Sequence, residues 1–392
     1  MRVAVVHDWL YTLGGAERVL QAILACFPGA ELFCLFDLLD EPARAQIGYR
    51  RSTTSFLQHM PAISRHHRKY LPLMPLAIEQ LDLRGFDLVI SSSYAVAKGV
   101  ITGPDQLHIS YVHSPMRYAW DMQGQYLKDA GLKAGPAAWA TRWLLHKMRL
   151  WDVRTGAGVD HYITNSRFVA RRVKKIYGRA ATVIHPPVRV PQRLPEAGRE
   201  PYFFTASRLV PYKNVRAIVE AFARLPDLTL LVAGEGPELG RLRACASPNV
   251  RFLGFVDDAE LGSLMARAAA FMFAAEEDFG IVPVEAQAMG TPVIALGRGG
   301  ARETVITEGP HRTGLFFDEA KPDQIAAAVR LFQLAPESFT PSACHANAQR
   351  FSEARFSAEF LSFVNRAYEA FDAERKWRVS WPQTANEPAL SA

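Results

Sequence analysis

Short β-branched runs, too brief to be helices, alternate with helical stretches along this chain of 392 residues, and the alternation runs twice. The first series opens at Val3-Ala4-Val5-Val6, which is apolar throughout, as a strand covered on both faces of a parallel sheet would be. A Gly14-Gly15 turn and a helical stretch over residues 16–27 follow, closed by Pro28-Gly29. Apolar runs at 86–90, 108–112 and 162–164 continue the series, each bounded by polar or turn residues. Near residue 186 the texture breaks. Residues 186–195 are rich in proline and lack periodicity, which predicts a linker. The alternation then restarts, with strands at 203–206 and 228–233, a helix at 215–225, and further strands at 250–253, 270–273 and 292–295. Strands alternating with helices predict an open α/β sheet. Two such series, at roughly 150 residues per domain, predict two α/β domains in tandem with a cleft between them.

Composition narrows the class. At 49% hydrophobic and 21% charged, the chain is neither disordered nor fibrous. No apolar run approaches the roughly 20 residues of a spanning helix. The opening MRVAVVHDWL carries no apolar core followed by a small-residue cleavage site, so no secretory signal is expected. Cys26, Cys34, Cys245 and Cys344 show no CxxC spacing and read as thiols in a reducing compartment, neither staples nor a zinc site. Charge is unevenly spread. Residues 1–195 hold 25 lysines and arginines against 14 acids, and the remainder holds 20 against 25. A basic first half attracts something anionic, such as a membrane surface or a phosphorylated lipid; otherwise it is a solvated surface. Two segments concentrate it, residues 65–70 and residues 143–151, the second mixing tryptophan, apolar and basic residues at helical spacing. No nucleic-acid motif accompanies them. The carboxyl end holds Trp377 and Trp381, expected to dock, and then turns polar.

The most informative stretch is EEDFGIVPVEAQAMGTPVI, residues 276–294. A strand ends before it, and a loop carries Glu276, Glu277 and Asp278. Gly280 allows close approach of a ligand, Pro283 suits a helix start, and Gly290 suits the position past its end. The amides of Phe279, Gly280, Ile281 and Val282 then lie at a helix N-terminus, where an anion binds without a side-chain charge. Phosphate on the amides and sugar hydroxyls on the surrounding carboxylates is the chemistry this predicts. Glu285 alone could simply complement the helix dipole, but that would leave the three preceding acids unexplained. On the loop after the first strand of the second domain, Arg208 and Lys213 pair a planar guanidinium with a point ammonium, which suits a diphosphate. In the first domain Gly14 and Gly15 form a turn at a helix start, again an anion site, though neither a complete GxGxxG nor a GxxxxGK[ST] loop. His113 closes a strand in YVHSPMRY, and Ser91-Ser92-Ser93-Tyr94 closes another, where hydroxyls could face sugar. The histidines are scattered, so no protein-bound catalytic metal is expected.

These residues resemble a known family. Glu277 and Glu285 within EDFGIVPVEAQAMGTPVIA, the Arg208 to Lys213 loop SRLVPYKN, and VAGEGPE, FLGFV and GLFF in that order are similar to the landmarks of family 4 retaining glycosyltransferases, from Val3 to about Phe371. HDWLYTLGGAERVL, SSSYAVAKGV and YVHSPMRYAWD resemble the WbaZ-like subgroup of bacterial O-antigen mannosyltransferases. The resemblance implies a GT-B fold: two Rossmann-like parallel-sheet domains facing across a cleft, with a C-terminal helix crossing back. It implies an acceptor domain at 1–188, a linker at 189–200, a sugar-nucleotide domain at 201–370, and a segment at 371–392 returning to the first domain. By the same resemblance Glu285 holds the ribose. Glu277 and the amides of Phe279, Gly280 and Ile281 hold the transferred sugar, and Val282 adds an amide to the phosphate. Arg208 and Lys213 neutralise the leaving diphosphate, Gly15 approaches it from the opposite domain, His113 contacts the sugar near the reacting carbon, and Phe255 and Val256 flank the base. Val210-Pro211-Tyr212 departs from the family pattern, in a loop that often carries an acid or glycine beside the lysine.

The implied donor is a nucleotide sugar, GDP-mannose, used without a tightly bound cofactor. The implied acceptor is a saccharide or a polyprenyl-diphosphate-linked saccharide at the cytoplasmic face of the inner membrane, reached through peripheral contact of the basic first domain. A UDP-sugar transferase, a phosphorylase or epimerase on the same fold, and a non-catalytic nucleotide-binding subunit are the competing readings.

Overall fold

The computed structural model describes residues 1–132, 134–196 and 198–380. The first domain is a seven-stranded sheet built from β1 (Val3–His7), β2 (Glu31–Cys34), β3 (Ser52–Thr54), β4 (Leu88–Ser93), β5 (Leu107–Val112), β6 (His161–Thr164) and β7 (Ala181–Val183). The second is a six-stranded sheet of β8 (Tyr202–Ala206), β9 (Thr229–Ala233), β10 (Val250–Gly254), β11 (Ala270–Phe273), β12 (Val293–Leu296) and β13 (Gly314–Phe317). Strand order is 3-2-1-4-5-6-7 in the first sheet and 10-9-8-11-12-13 in the second. All pairings are parallel.

The expected fold class holds. β1, β4, β5 and β11 are buried along their whole length, because helices cover both faces of each sheet. The edge strands β3 and β7 lack that continuous apolar signature. Ser52-Thr53-Thr54 and Ala181-Thr182-Val183 are only partly covered, and neither run stands out in the sequence. The proline-rich stretch is not a loose tether. Val188 is fully buried, bridges to Ser352 and packs with Phe279, Val284 and Phe351 of the second domain.

The helix Glu353–Ser380 leaves the second domain and buries Phe356, Phe360 and Val364 in the first domain's core, beside Val5, Ile23 and Tyr111. The chain therefore crosses between domains twice. Trp381 and the rest of residues 381–392 lie outside the described residues, as does the side chain of Trp377.

A doubly wound sheet opens a crevice where its strand order reverses, outside the carboxyl ends of the two strands flanking the reversal. That point lies between β1 and β4 in the first sheet, and between β8 and β11 in the second. Asp8, just past β1, fixes the first crevice: its buried carboxylate accepts the backbone amides of Tyr94, Ala95, Val96 and Ala97 at 2.6 to 2.9 Å.

Candidate active site

Both reversal points open onto one cavity of about 500 Å³ between the domains. From the first domain it is lined by Trp9 and Gly15 after β1, Tyr94 after β4, His113 after β5 and Asn165 after β6. From the second it is lined by Lys213 after β8 and by Glu277 to Val282 after β11. Trp9 and Asn165, which no motif singles out, lie one or two residues past the ends of β1 and β6, where a parallel sheet presents its ligand-facing residues.

Two helix starts meet here. The helix Gly15–Cys26 begins on one side and the helix Ile281–Ala288 on the other. A β-carbon on Gly15 would sit 2.9 Å from the Ile281 Cδ1, so the two domains meet closely here and a larger residue would make the tip of the Ile281 side chain turn aside. Gly280 caps the second helix at φ +82°, a left-handed conformation that frees the following amides toward the cavity. Two positive dipole ends aimed at one space form an anion site before any side chain is counted. Gly14 contributes less directly. It is the cap of the first helix, and its amide donates to Glu17 Oε2 at 2.9 Å.

Lys213 adds a formal charge. Asn214 is held at φ +54° and its Nδ2 donates to the Ala274 carbonyl at 3.0 Å, which ties the loop after β8 to the loop after β11. This brings the Lys213 ammonium against the Glu277 carboxylate. Of the residues Val210-Pro211-Tyr212 that depart from the family pattern, Pro211 and Tyr212 form a short 3-10 turn with Lys213, and Lys213 Nζ lies 5.6 Å from the Tyr212 ring. Burial, and then the nearby Arg117 guanidinium, push Lys213 down to about 8. Arg208 stays exposed and does not line the cavity, although its charge reaches Tyr212.

His113 ends a buried polar chain. Its Nε2 is 2.8 Å from Ser92 Oγ, which is 3.0 Å from His7 Nδ1, and His7 Nε2 is 3.5 Å from Glu17 Oε1. Burial, and then His7, push His113 down to about 3, so the imidazole on the cavity wall is neutral at working pH. The expectation that the β4 serines face sugar is corrected. Ser91, Ser92 and Ser93 lie inside β4, and their hydroxyls contact His108, His7 with His113, and the Lys98 amide. Only Tyr94 of that run reaches the cavity.

The three acids before the helix also separate. Asp278 is not available for hydroxyls, because it is held between Arg117 at 3.4 Å and Arg172. Burial raises its pKa, and the two guanidinium groups oppose that. Glu276 is exposed, and Glu277 alone of the three pairs with Lys213. Glu285 faces a second, adjoining cavity of about 350 Å³ with Arg18, Gln21, Asp258 and Leu261, and it contacts Arg18 across the cleft. The first domain's basic excess is thus partly taken up inside the molecule. Arg18, Arg117 and Arg172 meet Glu285 and Asp278, and Glu303 accepts the amides of Arg167 and Phe168. Phe255 and Val256 line neither cavity. Phe255 is 77% exposed, and Val256 packs on the second domain's core. No group of three or more metal-ligating side chains occurs among the described residues.

Two family models match along the chain. "Glycosyltransferase Family 4" covers residues 13–192 and "Glycosyl transferases group 1" covers residues 189–350. The chain belongs to this glycosyltransferase family. Among curated relatives, a GDP-mannose-dependent monoacylated alpha-(1-6)-phosphatidylinositol monomannoside mannosyltransferase of Corynebacterium glutamicum is 32% identical over 239 residues, covering 53% of this chain and 61% of that one. A glycogen synthase of Mycobacterium tuberculosis is 32% identical over 220 residues, covering 52% and 51%. The chain therefore spans about half to three fifths of the length of these relatives. Among solved structures, Anabaena Alr3699/HepE in complex with UDP superposes with a TM-score of 0.69 at 18% identity, covering 93% of this chain and 100% of that one. At that identity the likeness speaks for the glycosyltransferase fold, GT-B, and the fold alone.

Proposed function

We propose that this glycosyltransferase moves mannose from GDP-mannose to a saccharide or polyprenyl-diphosphate-linked saccharide, with retention at the anomeric carbon, as a WbaZ-like enzyme of O-antigen or related cell-surface polysaccharide synthesis. The first domain, residues 1–188, takes the acceptor, and residues 201–370 take the donor. Residues 189–200 connect them, and the carboxyl-terminal segment 371–392 completes the return to the first domain. The work takes place at the cytoplasmic face of the inner membrane. The observation that carries this reading is the convergence of two helix N-termini and Lys213 on one interdomain cavity, with the carboxylates Glu277 and Glu285 beside it. Breaking the anomeric bond puts negative charge on the diphosphate and positive charge on the sugar. Lys213, Arg208 and the amides of Gly280, Ile281 and Val282 stabilise the first, in a cleft the two domains screen from water. Gly14 and Gly15 present the opposing helix start, Glu277 and Phe279 border the sugar, and neutral His113 offers the sugar a hydrogen bond without a competing charge. Phe255 and Val256 border the base at the outer end.

GDP is preferred for a chemical reason as well as for the relative's specificity. Guanine presents two adjacent donors, N1–H and N2–H₂. Asp258, an acceptor-only group in the Glu285 cavity, suits that edge. Uracil and adenine have no such pair.

A thermal-shift panel of GDP-, UDP- and ADP-sugars tests the reading, since a ligand that binds only the native state raises its apparent stability. The expected result is a shift selective for GDP-mannose. Glu285→Ala should raise donor KM roughly 10- to 100-fold, the size of one or two hydrogen bonds to a charged acceptor. A UDP-sugar preference would instead favour the UDP-dependent alternative, and no shift with any donor would remove the transferase reading.

The pH profile is a second check. Lys213 is charged below about 8 in the free protein and loses its proton above it. kcat/KM should therefore fall as pH rises through about 8. The bound diphosphate favours the charged lysine, so the same limb in kcat should lie at higher pH. An acid limb near 6 that vanished in His113→Gln would contradict a His113 that stays neutral down to about 3.

A further inference from the structure

The helix Pro136–Thr155 turns Ala138, Leu145, Met148 and Asp152 inward. Its opposite face is not polar, as the outer face of a domain helix normally is. Trp139 is 70% exposed, Trp143 54%, Leu150 55% and Val153 44%. Their spacing of four, seven and three residues places them on one stripe. The charged side chains beside that stripe are of one sign: Arg142, Lys147 and Arg154, with His146 among them. Arg154 is held by Glu79, and Lys147 Nζ lies 5.4 Å from the Trp143 ring. The helix's one carboxylate, Asp152, is buried and paired with Lys98. A monomer gains nothing in water from two exposed tryptophans, and nothing among the described residues covers them.

We infer that this face seats the protein on an anionic lipid bilayer, with the helix lying in the headgroup layer. Tryptophan prefers that depth, where its ring is in the apolar boundary and its N–H is wet. Each basic side chain near an anionic leaflet adds about 1 kcal/mol. An exposed helix about 30 Å long is a ridge, and a fluid interface receives a ridge without a matching groove. The charge of the face excludes a basic partner, and the helix itself puts no carboxylate on it, so an anionic surface is the complement.

The same helix is bolted to the cleft. Trp120 Nε1 donates to Asp152 Oδ2 at 2.7 Å, and Arg149 Nη1 donates to the Ala119 carbonyl at 2.7 Å. The segment so held supplies Arg117, Tyr118 and Tyr126 to the cavity wall. Seating the helix would therefore fix the height of this cleft wall above the bilayer. The inference deepens the proposed use of a lipid-linked acceptor and rests on that reading only for what the membrane carries.

The full chain is mixed with vesicles of phosphatidylglycerol and phosphatidylethanolamine, and separately with phosphatidylcholine alone, and sedimented. Wild type is expected to partition to the anionic vesicles, with a blue shift of tryptophan emission. Trp139→Ala/Trp143→Ala should weaken partitioning roughly tenfold or more while circular dichroism is unchanged, and Arg142→Gln/Lys147→Gln should remove the preference for anionic lipid. The inference is overturned if wild type ignores anionic vesicles, or if the tryptophan pair binds them as wild type does. It is also overturned if that pair changes only the oligomeric state, which would make the face a contact with a second copy. The GDP-mannose thermal shift should be unaltered in both variants, so loss of vesicle binding and failure of the donor reading are separable results.

Discussion

Lys213→Ala is expected to lower kcat roughly 10²- to 10³-fold, the usual effect of removing one preorganised group that faces developing charge. Lys213 lines the interdomain cavity from the second domain, where the proposed reaction puts the diphosphate, and the Asn214 contact to Ala274 fixes its loop. Its charge becomes more favourable as the leaving diphosphate gains charge, so the loss should fall on kcat more than on donor affinity. Arg208→Ala should cost less, roughly tenfold, because Arg208 is exposed and does not line the cavity. Steady-state kinetics with a thermal-shift control for folding measures both. A Lys213→Ala enzyme within threefold of wild-type kcat would mean that the helix amides alone carry the leaving group.

Lys98→Met should lower stability by about 3–5 kcal/mol, the cost of leaving one member of a buried ion pair without its partner. Lys98 is almost fully buried, and its ammonium uses all three donors: Asp152 Oδ1 at 2.9 Å, the Asp152 carbonyl at 2.7 Å and Thr155 Oγ1 at 2.9 Å. Burial pushes its pKa down, and Asp152 opposes that. Without Lys98, the Asp152 carboxylate keeps only the Trp120 and Tyr177 side chains as donors. The variant is read by urea titration, following the first domain's own transition because a two-domain chain need not unfold in one step. Adding Asp152→Asn should recover part of the loss, since it removes the stranded charge. A change below about 1 kcal/mol in Lys98→Met would show that the pair is not held together as ions. The effect reaches beyond stability, because this pair anchors the helix carrying Trp139 and Trp143 to the turn after β4.

Much of the architecture was legible in the chain. β1 and β11 announce themselves because burial on both faces favours a continuous apolar run, and such a run is local information. The helix start at Gly280 and Ile281 was legible for the same reason: a strand end, a glycine and a proline in register say where amides will be free. The edge strands β3 and β7 were not, since half-covered strands need no distinctive pattern.

The sequence alone determined two parallel α/β sheets, the order of their strand-to-helix loops, and hence which loops could carry an anion site. Only the tertiary structure decided how those loops divide their work. Asp278 and Glu277 are neighbours on one loop, yet one locks the domains together through Arg117 and Arg172 while the other meets Lys213 at the cavity. Ser92 looked like a hydroxyl for sugar and is a buried link between His7 and His113. Lys98, which nothing around it in the sequence sets apart, is half of a core ion pair. The physical reason is common to all three: a residue's type fixes what it can donate or accept, but its partner and its share of water come from segments up to 161 residues away, brought near only when the chain folds.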